Sequence, residues 1–259
     1  MAEYTFNIQN FEYFLLILVR IASFVFVAPL YGERGVPNQV KIGLSLCVTI
    51  LLYNVVAHPA IEYTSVVGYA VYVVMEGITG LLIGLAANIC NSIVLLAGNI
   101  IDMDIGLSMA AEFNPQLNNQ VTISGNFYYY FVMLLLVGSD IHVYVLRAVC
   151  DSFSVVPIGG AVFEWDNLML AMVKYMGDLF VIGFRIFLPI FACMMVLNSI
   201  LGIMAKVAPQ MNMFAVGIQL KLLVGLSVMF LTVFMLPNIA NMVFSEIKQM
   251  VVMFVESMY

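Results

Sequence analysis

Charge is the scarcest commodity in this 259-residue chain: 9% of its residues are Asp, Glu, Lys or Arg, against about 25% in soluble domains. Nine Lys and Arg are scattered singly and the formal net charge is −6, so no nucleic-acid partner is expected. The four cysteines, Cys47, Cys90, Cys150 and Cys193, stand far apart with no Cys-x-x-Cys pair, which argues against a disulfide framework or a thiolate metal centre. Of two histidines, His58 lies beside Pro59, and His142 follows Ser139 by three residues with nothing to complete a triad. There is no His-Glu-x-x-His, Walker loop or glycine-rich phosphate cradle. Neither an enzyme nor a cofactor is expected. The acidic start of the chain does not read as a cleavable leader. Long polar stretches are missing too. The longest, Asp151–Lys174, reads as a loop, and no soluble domain is expected.

What fills the chain is apolar. Hydrophobic residues make up 64% of it and the mean hydropathy is +1.07. Six segments approach the roughly 20 apolar residues needed to cross a bilayer: Phe11–Leu30, Val40–Ala57, Val66–Ala87, Phe127–Val149, Leu179–Ile203 and Met213–Met235. The expected fold is therefore all-α, a polytopic membrane protein with about six long apolar helices. Asn88–Ala111 has helical periodicity but is too polar for lipid, and Asn238–Ser257 is a further candidate helix. The weak bias of Arg34, Lys41, Lys206 and Lys221 over Lys174 favours an outward N-terminus. Residues 1–165 hold four spans. Residues 166–259 read as a long hairpin turning at Ala205–Met213, where Pro209 cannot continue a helix and Asn212 favours a turn.

The few polar groups inside the spans are informative because each is costly there. Arg20 and Glu76 lie deep in separate apolar runs and are expected to be buried against polar partners, each other included. Glu76, Gly80, Gly84 and Asn88 share one helix face, and Gly80-x-x-x-Gly84 permits close helix approach. Asp178 and Arg185, seven residues apart, share another face and read as buried packing charges or as contacts for a neighbouring subunit. Asn99–Gln120 is different: Asp102, Asp104 and Glu112 gather without a cation, and the chain then breaks at Asn114-Pro115.

Four stretches together resemble one family: "LVRIASFVFVAPLYGERGVPNQVKIGLSL" (Leu18–Leu46), "GNIIDMDIGLSMAAEFNP" (Gly98–Pro115), "SFSVVPIGG" (Ser152–Gly160) and "LNSILGIMAKVAPQMNMFAVGIQLKLLVGL" (Leu197–Leu226). The pattern is similar to the FliR family, flagellar biosynthetic proteins of the type III secretion export gate with an injectisome counterpart. The last stretch, with Ala208 to Asn212 followed by Phe214 and Gly217, is the most specific. The resemblance implies a FliP-like part over 1–165, carrying an inward loop at 99–120, and a FliQ-like hairpin over 166–259. It implies a place in the bacterial inner membrane, in the flagellar basal body, among FliP-, FliQ-, FlhB- and FlhA-like partners, with membrane lipid around them and unfolded exported proteins as cargo. It also implies that Ser108–Asn119 plugs the closed channel, with Gly106, Ser108, Met109, Phe113, Asn114 and Pro115 as its working residues. Lys206, Pro209, Gln210 and Asn212 are expected to form a subunit-contact turn. The composition of the segment suits a plug, because irregular backbone at membrane depth is tolerated only in protein or at a watery cavity, and Met adapts to varied neighbours. A secondary transporter carrying ions near Arg20, Glu76 and Asp178 is the alternative, although it calls for internal repeats and paired broken helices, and neither is visible.

Overall fold

A computed structural model describes residues 8–33, 35–56, 63, 66–110, 112–114, 119–121, 123–208, 210 and 213–259. The architecture is all-α and built for a membrane. Among the described residues the helices are α1 (Ile8–Val27), α2 (Asn38–Tyr53), α3 (Val66–Ala87), α4 (Ile89–Ile105), α5 (Ile123–Gly138), α6 (Ile141–Val155), α7 (Trp165–Val207), α8 (Met213–Thr232) and α9 (Leu236–Glu256). Between α4 and α5 stand a 3₁₀ turn, Leu107–Ala110, and two three-residue strands, β1 (Glu112–Asn114) and β2 (Asn119–Val121). The strands pair antiparallel, with Glu112 opposite Val121, Phe113 opposite Gln120 and Asn114 opposite Asn119.

Several expected boundaries move. Phe127–Val149 is not one straight span but α5 and α6, interrupted at Ser139–Asp140. Asp140 adopts the left-handed conformation (φ 57°), which a short polar side chain tolerates better than an apolar one. Asp151–Lys174 is not a loop, since α6 runs to Val155 and α7 starts at Trp165. Asp151, Asp166, Asn167 and Lys174 sit exposed on these helices, and only the interval between them lacks helical structure. Helix α7 extends 43 residues in place of the 25 or so read from hydropathy, with Pro189 inside it. Helix α2 spans 16 residues and is short for a bilayer. Among the described residues four helical stretches are long and apolar enough to cross, Asn10–Val27, Val66–Ala87, Trp165–Val207 and Ala215–Glu256, or five where the bent α5–α6 pair is counted as one span.

The chain packs as two compact units. The first comprises Met1–Ile89, Asp140–Tyr175 and Glu246–Tyr259, and the second Cys90–Ser139 and Met176–Ser245. In the first, α1 lies along α3 and α2 along α1. Leu16, Ile17, Ile21, Phe24 and Val25 of α1 are fully buried. Gly80 and Gly84 allow the approach: a Cβ on Gly80 would collide with the Arg20 carbonyl and Ser23 Oγ, and one on Gly84 would press on Val27 and the Phe24 carbonyl. Lys41 is buried on α2, where its ammonium donates to the Gly32 carbonyl (2.8 Å) and lies 5.5 Å from the centre of the Phe26 ring. It is thus a packing group and not a free loop charge, which removes it from the orientation count; Arg34 lies outside the described residues.

Candidate functional site

In the first unit a buried charge hub forms where α1, α3 and the end of α6 converge. Arg20 and Glu76 are both 0% exposed, and each needs its charge answered within the protein. The Arg20 guanidinium donates from Nε to Glu76 Oε2 (2.5 Å) and from Nη2 to Oε1 (3.0 Å). This is the two-pronged geometry that suits arginine with a carboxylate. Nη1 donates to the Val156 carbonyl (2.9 Å) and to Ser152 Oγ (3.4 Å), and the guanidinium carbon lies 4.2 Å from the centre of the Phe153 ring. The Gly159 N–H donates to Glu76 Oε1 (2.9 Å). Gly159 has φ +72° and its Cα faces the Tyr72 ring, so a side chain there is excluded twice over. Sequence reasoning marked Arg20 and Glu76 by their depth. It left Phe153 and Gly159 without roles, although both lie in the "SFSVVPIGG" stretch that carries the family resemblance. Both carboxylate oxygens of Glu76 and all three guanidinium nitrogens are engaged, so the arrangement holds elements together and has no idle acid to pass an ion.

In the second unit the base of the inserted hairpin is closed tightly. Gly98 on α4 faces Gly125 on α5 so closely that a Cβ on Gly98 would collide with the Gly125 backbone. One turn further along α4, the fully buried Asp102 accepts the Ser124 N–H at Oδ2 (3.0 Å), satisfying a donor in the first turn of α5. Its Oδ1 is buried with no partner among the described residues. Helix α8 runs alongside with one face. Lys221 lies near Asp104, Gly225 leans on Ile105, and Met229 Sδ meets Ser124 Oγ at 3.3 Å. Burial pushes the Asp104 carboxyl above its ordinary pKa, against the opposing pull of Lys221. Gly106 then ends α4 at φ +92° with open space around it, so backbone freedom, not crowding, makes glycine suitable. Asp102 stood out in the sequence as an acid without a cation; that it caps the next helix depends on a fold no local pattern reveals.

The remaining candidates fall into three groups. Ser108 is exposed in the 3₁₀ turn, and Phe113 and Asn114 form β1, while the Met109 side chain and Pro115 lie outside the described residues. Lys206 and Gln210 are exposed, and Pro209 and Asn212 lie outside the described residues. Asp178 and Arg185 are not brought together as buried charges: Asp178 is half-buried and Arg185 exposed. The reason is that this part of α7 has a large uncovered face, with Val181, Phe184 and Leu188 also exposed.

Comparison with known proteins reaches the same family from another direction. The family model "Bacterial export proteins, family 1" matches residues 11–247. The chain is 28% identical over 241 residues to flagellar biosynthetic protein FliR of Bacillus subtilis (strain 168), covering 92% of each chain. It is 29% identical over 229 residues to that of Pectobacterium carotovorum subsp. carotovorum, covering 88% of this chain and 87% of that one. Against that of Escherichia coli (strain K12) it is 28% identical over 231 residues, covering 89% and 87%. A match from α1 into α9 leaves none of the nine described helices wholly outside it, and on that extent the chain belongs to the bacterial export proteins of family 1, the family of FliR.

Proposed function

We propose that this protein is a structural component of the flagellar protein-export gate, that it lines part of the export conduit in the bacterial inner membrane at the flagellar basal body, and that its inserted hairpin closes the conduit at rest. The 1–165 part takes the FliP-like place and the 166–259 part the FliQ-like place, among FliP-, FliQ-, FlhB- and FlhA-like partners, with unfolded exported proteins as cargo. The observation that carries the plug is the contrast at the hairpin. Its base is locked by the Gly98–Gly125 crossing and the Asp102–Ser124 bond, whereas the hairpin itself is two three-residue strands. A two-stranded ribbon is at best marginally stable alone. A seal that must yield to cargo needs a fixed base and a weakly held body, and a short ribbon on a locked base suits that need. Met109 and Phe113 supply the apolar obstruction, and Pro115 with its amide neighbours supplies the irregular backbone. Lys206, Pro209, Gln210 and Asn212 form the turn that meets neighbouring subunits. The transporter alternative loses its central acid, because Glu76 is wholly consumed by Arg20 and Gly159.

The test is ion conductance through the assembled gate after removal of Met109–Phe113. Assembly is expected to survive, since the base contacts remain, and the deleted complex should conduct at rest while still exporting. A deleted complex that assembles and stays as tight as the unaltered one overturns the plug.

A further inference from the structure

Helices α6 and α9 lie side by side in the first unit and enclose a groove. They run in the same direction: Lys248 of α9 lies 5.2 Å from the centre of the Tyr144 ring on α6, and beyond α6 the Val162 N–H donates to the Met258 carbonyl (3.0 Å). Between them is a cavity of about 310 Å³, the size of a small-ligand site. Its walls divide by chemistry. Tyr144 and Arg147 stand at one end, with Lys248 against Tyr144, and Asp151 and Glu256 line it further along. Val251 and Val255 are buried in its wall, and Val155 and Val252 are exposed beside them. Its back is firm, because the buried Ser152 there accepts from Arg20 of the charge hub.

The charges are open to a ligand. Arg147, Asp151 and Glu256 are exposed, and none of them is in an ion pair among the described residues. Both helices belong to stretches apolar enough to cross a bilayer, and charges near the ends of such helices reach the headgroup layer. An occupant must therefore bring an anion to Arg147, a cation to the two acids and an apolar body to the valines. Arg147 and Asp151 are one turn apart, about 6 Å by helical rise. The two-carbon bridge of an ethanolamine phosphodiester separates phosphate from ammonium by a similar step. A purely anionic headgroup would answer Arg147 and Lys248 but meet Asp151 and Glu256 with like charge. A divalent cation would answer the acids and leave the arginine and the valines bare. A choline headgroup has the right charges but no N–H to donate to a carboxylate, which only accepts.

We propose that the α6–α9 groove binds one zwitterionic glycerophospholipid with a primary amine, of the phosphatidylethanolamine type. Its phosphate accepts from Arg147 and Lys248, its ammonium donates to Asp151 and Glu256, and its acyl chains run over Val155 and Val252. The site lies within the first unit and does not draw on the hairpin, so it is independent of the plug.

The test uses the assembled gate in nanodiscs of equal parts phosphatidylethanolamine, phosphatidylglycerol and phosphatidylcholine. One lipid at a time carries a trace of diazirine label near the glycerol, and the labelled peptides are mapped. The ethanolamine lipid should label the α6 and α9 peptides holding Val155 and Val252 about fivefold more than either other lipid. Asp151→Asn with Glu256→Gln should cut that labelling about fivefold, the loss expected when two exposed charge contacts go. Asp151→Glu with Glu256→Asp keeps the charges and should keep most of the label, which separates lost binding from lost folding. Arg147→Gln should lower labelling as well. Equal labelling by the three lipids, labelling that survives the acid-to-amide changes, or a groove left unlabelled overturns the proposal. Conductance after hairpin deletion bears on the plug alone.

Discussion

At the scale of single residues, the hub and the hairpin base ask opposite things of their acids. Glu76 is held by the guanidinium and a backbone N–H, so removing Arg20 strands a buried carboxylate. Such losses cost about 3–5 kcal/mol when one partner of a buried pair is removed. Arg20→Ala should therefore lower the membrane level and thermal midpoint of the assembled gate, and Arg20→Lys should recover only part, since lysine cannot hold Glu76, Ser152 and the Val156 carbonyl at once. In the double variant Arg20→Ala/Glu76→Ala the loss should be smaller than the two single losses added together; strict additivity, measured by denaturation of the purified complex, would refute pairing as the source of stability. Asp104 behaves otherwise. Burial raises its pKa, so the stability of its neutral form is fully present below the ordinary carboxylate pKa and is lost as pH rises through the shifted value. Asp104→Asn should thus stabilise the complex near neutrality and abolish this loss of stability as pH rises through the shifted value, and melting over a pH series would read this directly. A curve identical to that of the unaltered chain would show that Asp104 is answered elsewhere in the assembly.

At the scale of elements, α8 deserves a role beyond filling the second unit. Its Lys221, Gly225 and Met229 repeat at four-residue steps against Asp104, Ile105 and Ser124, so one helical face spans both ends of the hairpin base. A Cβ on Gly225 would lie 2.7 Å from Ile105 Cγ1 and Cγ2, and Ile105 is fully buried and stiff at χ1. Gly225→Ala must push Ile105, the last residue of α4, toward the Gly106 turn. Overpacking of this kind costs about 1–3 kcal/mol, and here it should also raise resting conductance; Ile105→Ala in the same chain should restore both. Failure of that second change to restore either would mean that α8 does not brace the base. The elements also show what a sequence can disclose. Val66–Ala87 was legible to the residue because apolar length alone sets it, and Arg20, Glu76, Gly80 and Gly84 were legible because charge and small size are conspicuous against an apolar background. The interruption at Asp140 was marked only by the turn-favouring triplet Gly138-Ser139-Asp140, which hydropathy averaged over the flanking apolar residues conceals. Nor was the true start of α7 legible, because Asp166, Asn167, Lys174 and Asp178 pull the mean hydropathy of Trp165–Asp178 down to a loop-like value. The capping role of Asp102 depends on residues 22 positions apart, which no local window compares.

At the scale of the whole molecule, the proposed gate requires stability to be divided unevenly along the chain. Long helices rest on buried stripes such as Leu16, Ile17, Ile21 and Phe24 in α1, or Val243, Phe244, Ile247 and Met250 in α9. The hairpin between Gly106 and Ile123 has a three-pair strand ladder and a 3₁₀ turn with an exposed serine. Local opening free energies follow such differences in buried contact, from near zero in loosely held segments to the global value in packed cores. Amides of Leu107–Ala110 and of β1 and β2 should therefore exchange with solvent deuterium well ahead of those in α4 and α5, without any loss of protection in the flanking helices. Asp102→Ala should change that order. With the cap on Ser124 gone and Met229 still beside it, protection in the first turn of α5 should fall toward that of the hairpin, while α4 up to Gly98 keeps its own. Exchange measured on the intact gate in nanodiscs, with peptides covering 99–130, separates the outcomes. Slow exchange throughout the hairpin would mean that it is built into a rigid wall, and a rigid wall cannot step aside for cargo.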